Sequence, residues 1–132
     1  MERGIQNMKK VAMLVCKNAV GNKCTGSGCM RAFNNKTGTF ERYSQEELEL
    51  QAFFQCNGCE KSLDEDEGLK KKVERILELQ PDSVHVGMCT IKKDIQKHCE
   101  TIKNMTQIFK ESGIEVVNGT HNSELLKKTN DI

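Results

Sequence analysis

This sequence predicts an α/β domain: a three-layer sandwich with a mainly parallel sheet of about four strands, Rossmann-like or flavodoxin-like. Three observations lead there. Short apolar runs recur at residues 11–16, 52–56, 83–89 and 114–117, and runs without strict alternation suit strands covered on both faces. The last three begin about 30 residues apart, the spacing of strand–helix–strand units. The stretches between them carry helical periodicity.

Length and composition narrow the class further. A chain of 132 residues suits one domain. Residues 1–8 read as a disordered leader and 9–132 as the domain. Twenty Lys and Arg against nineteen Asp and Glu leave a net charge of +1, which argues against nucleic acid or a basic membrane patch as the partner. No apolar run reaches the roughly 18 residues of a membrane span, and residues 1–10 lack the apolar core of a signal peptide. The expected setting is cytoplasmic, with reduced thiols. Seven cysteines and a single proline then point to metal binding, thiol chemistry or small buried side chains rather than a disulfide framework.

Each element has its own signal. Residues 11–16 form the first strand. Residues 17–43 form a long loop containing Cys24 and Cys29, and such a loop in a small domain is commonly functional. Within it, 30–33 suit a helical turn and 39–43 an extended segment. Ser44 and Glu47 have capping-box spacing, so a short helix is expected over 44–50, ahead of the strand at 52–56. Leu69, Val73, Ile76 and Leu77 share one helical face, with Lys70, Lys71, Lys72 and Glu74 on the other. Acids at 64–67 favour that helix's N-terminus, and Pro81 follows its end. After the strand at 83–89, Ile91, Ile95, Ile102, Met105 and Phe109 are spaced by 4, 7, 3 and 4. That spacing predicts one helix over 91–109, capped by Gly113. A last strand at 114–117 and a short helix over 122–128 complete the order.

The chemistry gathers at the strand ends. Three expected strands end in cysteine, at Cys16, Cys56 and Cys89, and the fourth runs into Gly119-Thr120-His121. The C-terminal ends of parallel strands share one sheet edge, where ligands bind. Cys59 joins that edge through Cys56-Asn57-Gly58-Cys59, and Cys24 and Cys29 can fold over it from the loop. Zinc takes four thiolate or imidazole ligands in a tetrahedron, and a CxxC turn supplies two at once. Asn57 and Gly58 tolerate the positive φ such a turn needs. Cys56 and Cys59 are therefore the expected primary ligands, with Cys16, Cys89, Cys24, Cys29 and His121 as the pool for the rest. Cys16 and Cys89, ending apolar runs, also suit a core role. Cys99 suits packing or ligation, and His85 and His98 read as structural.

Other chemistries fail on spacing. A low-molecular-weight phosphatase loop needs Arg six residues after its Cys, but Met30 stands there after Cys24 and Arg31 comes one too late. No phosphate-binding Gly-x4-Gly-Lys-Ser/Thr motif occurs. Plant-type ferredoxin spacing from Cys24 and Cys29 needs a third cysteine where Ala32 lies. Gly26-Ser27-Gly28 reads as a flexible loop.

Taken together, the motifs resemble the CGGC domain family. The matching pieces are Val15-Cys16, Cys24-Thr25-Gly26-Ser27-Gly28-Cys29, Arg31-Ala32-Phe33 and Phe40-Glu41-Arg42-Tyr43, followed by Phe54-Gln55-Cys56-Asn57-Gly58-Cys59, His85-Val86-Gly87-Met88-Cys89-Thr90, His98-Cys99 and Gly119-Thr120-His121. Asn57 replaces the first glycine of the family's namesake motif, and Glu100 follows Cys99 where the family often has proline. The resemblance implies a cysteine- and histidine-rich site that binds metal, zinc first.

Three roles follow for these residues. A metal-binding domain would hold zinc or, with sulfur ligands, an iron–sulfur cluster, and its affinity would fall with pH because thiolates bind. A thiol–disulfide enzyme would use Cys56 as nucleophile and Cys59 to resolve the mixed disulfide, although no proline is available for a thioredoxin-like cis bond near the motif. A plain interaction domain would merely pack its cysteines.

Overall fold

Residues 8–20, 22–58, 62–92, 97–121 and 132 are described in the computed structural model. The first strand, β1 (Met8–Val15), is fully buried from Val11 to Val15, as an unbroken apolar run requires when both sheet faces are covered. It is flanked by β2 (Glu47–Gln55) and β3 (Ser83–Val86), and β6 (Glu115–Asn118) pairs with β3. All three pairings are parallel, and the order across the sheet is β2-β1-β3-β6. The α/β class and the parallel sheet of four strands are as the sequence predicts. Of the expected leader only Met8 is described, and it opens β1.

Side chains of β1 alternate between two cores. Ala12 and Leu14 meet Leu69, Val73 and Ile76 of α2 (Glu67–Leu79) and Ile102, Met105 and Phe109 of α3 (Glu100–Glu111). Val11, Met13 and Val15 face the other way, onto Cys29 and Ala32 of α1 (Ser27–Asn35) and onto Phe40 and Tyr43. The sheet thus lies between one helix and two. A β-bulge between Val11 and Ala12 leaves Gln51 of β2 without a register partner. The extra residue flips the pleat, so Leu48, Leu50 and Phe53 share the α1 face while Ala52 and Phe54 reach the other.

The helix ends follow local chemistry. Asp66 caps α2 by accepting from the Leu69 N–H at 3.0 Å, and Pro81 stands just past its C-cap, Gln80. Ser112 caps α3, and Gly113 follows with φ +88.

Three local expectations are corrected and a fourth is extended. No helix forms over 44–50: alternating exposure along Glu47-Leu48-Glu49-Leu50 marks the start of β2, and a strand that long outweighs the Ser44–Glu47 capping box. The segment at 39–43 is not extended but a 3-10 helix, Gly38–Tyr43, whose three-residue turn points both Phe40 and Tyr43 inward. The helical turn at 30–33 is the middle of the nine-residue α1. The expected helix over 91–109 starts only at Glu100. Before it, β4 (Ile91–Lys92) and β5 (Lys97–His98) pair antiparallel. That pairing buries Ile91 and His98, and Cys99 N donates to Thr90 O at 3.1 Å. The helix expected over 122–128 lies outside the described residues.

Candidate functional site

In this strand order the chain leaves β1 towards one side of the sheet and β3 towards the other. The crevice beyond the C-terminal ends of β1 and β3 is thus the topological switch point, where open α/β sheets bind ligands. Cys16 follows β1, and Cys89 sits in the 3-10 turn Met88–Thr90 that follows β3. The crevice is a cleft of about 370 Å³ lined by Cys24, Cys29, Cys89, Thr120 and His121, with Ala19, Val20, Met88 and Ile91 as its apolar wall.

The loop after β1 is folded by its own backbone. Cys16 O accepts from Ala19 N and Val20 N, and Ala19 O accepts from Cys24 N at 2.8 Å. These turns bury Val20 and bring Cys24 back to the cleft. Cys24 then precedes α1, whose first turn carries Cys29 inward; Cys29 is buried and Cys24 exposed.

Nearly every described sulfur at this edge has a hydrogen-bonding neighbour. Cys16 N donates to Cys89 Sγ at 3.2 Å, and the next amide, Lys17 N, donates to Cys56 Sγ at 3.5 Å. Gly26 N donates to Cys24 Sγ at 3.3 Å. Cys29 Sγ and Thr120 Oγ1 share a hydrogen bond at 3.2 Å. Burial pushes the Cys29 thiol up, against the Thr120 bond that lowers it. Burial likewise pushes Cys89 up to about 11; the Cys16 N–H lowers it, and the neighbouring Cys16, Cys29 and Cys24 raise it. In the metal-free chain Cys89 is therefore a neutral thiol near pH 7.

The Gly119-Thr120-His121 segment is clamped from behind. Thr39 N donates to Thr120 O at 2.9 Å, and Thr39 Oγ1 donates to Gly119 O at 2.8 Å. Thr39 Oγ1 thus accepts from His85 Nδ1–H at 2.9 Å. His85 Nε2 then accepts from the Tyr43 hydroxyl at 2.9 Å, and Tyr43 accepts from Ser83 at 2.8 Å. This tautomer follows from the network. His85 is fully buried and stacks on Phe40 with ring centroids 4.2 Å apart; burial lowers its pKa to about 4. It is structural, as the sequence suggested. His98 is structural too, with Nε2–H donating to Asn118 Oδ1 at 3.0 Å, but it does so from β5 rather than from a helix.

The expected donors divide into two groups. Cys24, Cys29, Cys89 and His121 surround one cleft, with Cys16 at its edge. Cys56 is buried among the core residues on the α2–α3 face and does not line that cleft. Cys59 lies outside the described residues. Gly58 takes φ +103, while the Asn57 side chain is held by Lys72 Nζ at 2.7 Å and donates to Asp66 Oδ1 at 3.2 Å. Cys99 is the N-cap residue of α3 and packs against the core. Among the described residues no three Cys, His, Asp or Glu side chains stand together as a ready-made metal centre. The donor set nonetheless fits a soft or borderline cation, since thiols and an imidazole converge on one cleft and N–H groups are aimed at the sulfurs. Sequence reasoning did not single out Thr39 or Gly38, and it named Thr120 and Gly28 only inside motifs, without these roles. Their roles depend on contacts between distant segments, which leave no local pattern.

No helix among the described residues is long and apolar enough to cross a membrane. An uncharacterised protein of Methanocaldococcus jannaschii is 33% identical over 131 residues, covering 90% of each chain. No solved structure matches. The CGGC domain matches residues 10–121, a span that holds every cysteine of the sheet edge and His121, and the chain belongs to the CGGC domain family.

Proposed function

We propose that this chain is a metal-binding domain, one unit over 9–132, that holds a soft or borderline metal ion at the C-terminal edge of its parallel sheet. Zinc is the leading metal, and an iron–sulfur cluster is the alternative that sulfur ligands also suit. Cys24, Cys29 and Cys89 form the heart of the donor set and His121 closes it. Cys16 stands at the turn that ends β1, with Cys56 beside it, and Cys59 belongs to the donor pool through its place in the CxxC motif. A reducing, cytoplasmic compartment belongs to the same reading, because only free thiols can bind.

One observation carries the proposal. Consecutive amides at the end of β1, Cys16 N and Lys17 N, donate to sulfurs placed by the two flanking strands, Cys89 at 3.2 Å and Cys56 at 3.5 Å. Hydrogen bonds to sulfur favour the thiolate, the form a metal requires. A bound cation would supply the positive charge that these buried thiols otherwise lack. Burial raises the Cys29 and Cys89 thiols, whereas a reactive cysteine needs a lowered pKa; thiol–disulfide exchange by Cys56 and Cys59 is the second reading.

Cobalt(II) titration under anaerobic conditions tests this, read by sulfur-to-metal charge-transfer absorbance. Wild type should bind tightly, Cys89→Ser should bind at least about tenfold more weakly, and Cys99→Ser should behave as wild type. Equal binding by all three would refute the assigned site.

A further inference from the structure

His121 is exposed, yet its ring has a defined seat. A Cβ built on Gly28 would meet His121 Nε2 at 3.1 Å, and Cδ2 and Cε1 at 3.2 Å. Those are the nearest atoms outside the helix. Gly28 lies in the first turn of α1 with an ordinary helical backbone, so no unusual φ calls for glycine there. Glycine is a poor helix former at such a position. The three atoms nearest the space left by its missing side chain all belong to the imidazole lying against it. From the other side, Thr39 holds the backbone of Gly119 and Thr120, which fixes where His121 leaves the chain.

We propose that Gly28 is a positioning residue that seats the His121 imidazole at the mouth of the cysteine cleft. As to metal ligation, the inference rests on the function proposed above; the seat itself does not. The next residue, Cys29, lines the same cleft, so the first turn of α1 carries one sulfur donor and the surface that orients the imidazole. Alanine at 28 forces the ring to yield by a few tenths of an ångström, and leucine fills the seat. Both substitutions favour the helix over glycine.

The test uses the chain's three histidines, His85, His98 and His121, as probe and internal controls. Ring resonances are recorded by NMR on metal-free wild type, Gly28→Ala and Gly28→Leu. The His121 signals should shift in the alanine variant and shift further in the leucine variant, while those of buried His85 and His98 stay in place. Tm of the alanine variant should not fall. Unchanged His121 signals in Gly28→Leu would overturn the seat, and so would equal shifts at all three rings. Cobalt(II) titration of the same proteins forms the second arm. Gly28→Leu should weaken binding about tenfold, as should His121→Ala, and combining the two should add little. A wild-type chain that binds no cobalt would refute the metal reading alone, because the metal-free spectra decide the seat separately.

Discussion

The backbone N–H of Cys16 donates to Cys89 Sγ across 3.2 Å. A sulfur atom thus joins the ends of β1 and β3, at the point where the chain's crossovers diverge. In the core of the sheet these strands are held by ordinary ladder bonds; beyond their ends the link is a thiol. The sheet has placed a ligand-type atom where parallel α/β folds open.

Thr120 should matter to the sulfur edge even without metal. It is buried, and its hydroxyl shares a 3.2 Å hydrogen bond with Cys29. Thr120→Val keeps the shape and leaves the buried thiol without that partner, at a cost of about 1 kcal/mol. Denaturant unfolding of metal-free protein measures it. A variant as stable as wild type would show that the bond contributes nothing.

His85 should make stability depend on pH. Its folded pKa is about 4, below the ordinary value of 6.5. The unfolded chain therefore takes up the proton first as pH falls. The contribution is fully present above pH 6.5 and is lost progressively towards pH 4, by about 3 kcal/mol in total. Unfolding free energies across that range should fall more steeply for wild type than for His85→Gln. Parallel curves would contradict the assignment.

Gly38 should resist substitution. Its φ is +60, and a Cβ there would overlap the Thr120 carbonyl oxygen. Gly38→Ala should cost roughly 1–3 kcal/mol, in contrast to Gly28→Ala, where the backbone is helical and the neighbour is a side-chain ring that can yield. Chemical denaturation of the two variants side by side gives the comparison, and equal stability would argue against the close approach.

Lys72 should outweigh its neighbour Lys71. Lys72 Nζ donates to Gln55 O and to Asn57 Oδ1, both at 2.7 Å, pinning the turn that follows β2. Lys72→Met should cost about 1–3 kcal/mol. Among the described residues Lys71 makes only an exposed 3.9 Å pair with Glu74, so Lys71→Met should stay within about 0.5 kcal/mol. Thermal unfolding of both would reveal the difference or its absence.

Much of the architecture was legible because burial on both faces leaves an apolar run that single residues cannot disguise. Val11 to Val15 show this best, and α2 announced itself through Leu69, Val73 and Ile76. Errors arose where local and distant forces compete. The alternation Glu47-Leu48-Glu49-Leu50 was a strand signal, but the Ser44–Glu47 capping box and the bulge at Gln51 obscured it. Ile91 continued the helical spacing of Ile102 and Met105 by coincidence, since its place is set by pairing with His98. The strand-end cysteines Cys16, Cys56 and Cys89 do gather along one sheet edge, as their positions in the chain imply. The separation of Cys56 from Cys29 and Cys89 was not legible, because it depends on which face of β1 each neighbouring element covers.

The central claim is that the sulfur edge holds a metal. Metal and inorganic sulfide per chain, measured on untagged protein purified without oxygen and paired with a free-thiol count, test it most directly. Close to one zinc per chain, or iron with matching sulfide, is expected, with fewer reactive thiols than the seven cysteines of the sequence until the metal is removed. A metal-free chain whose seven thiols all titrate at once would contradict it.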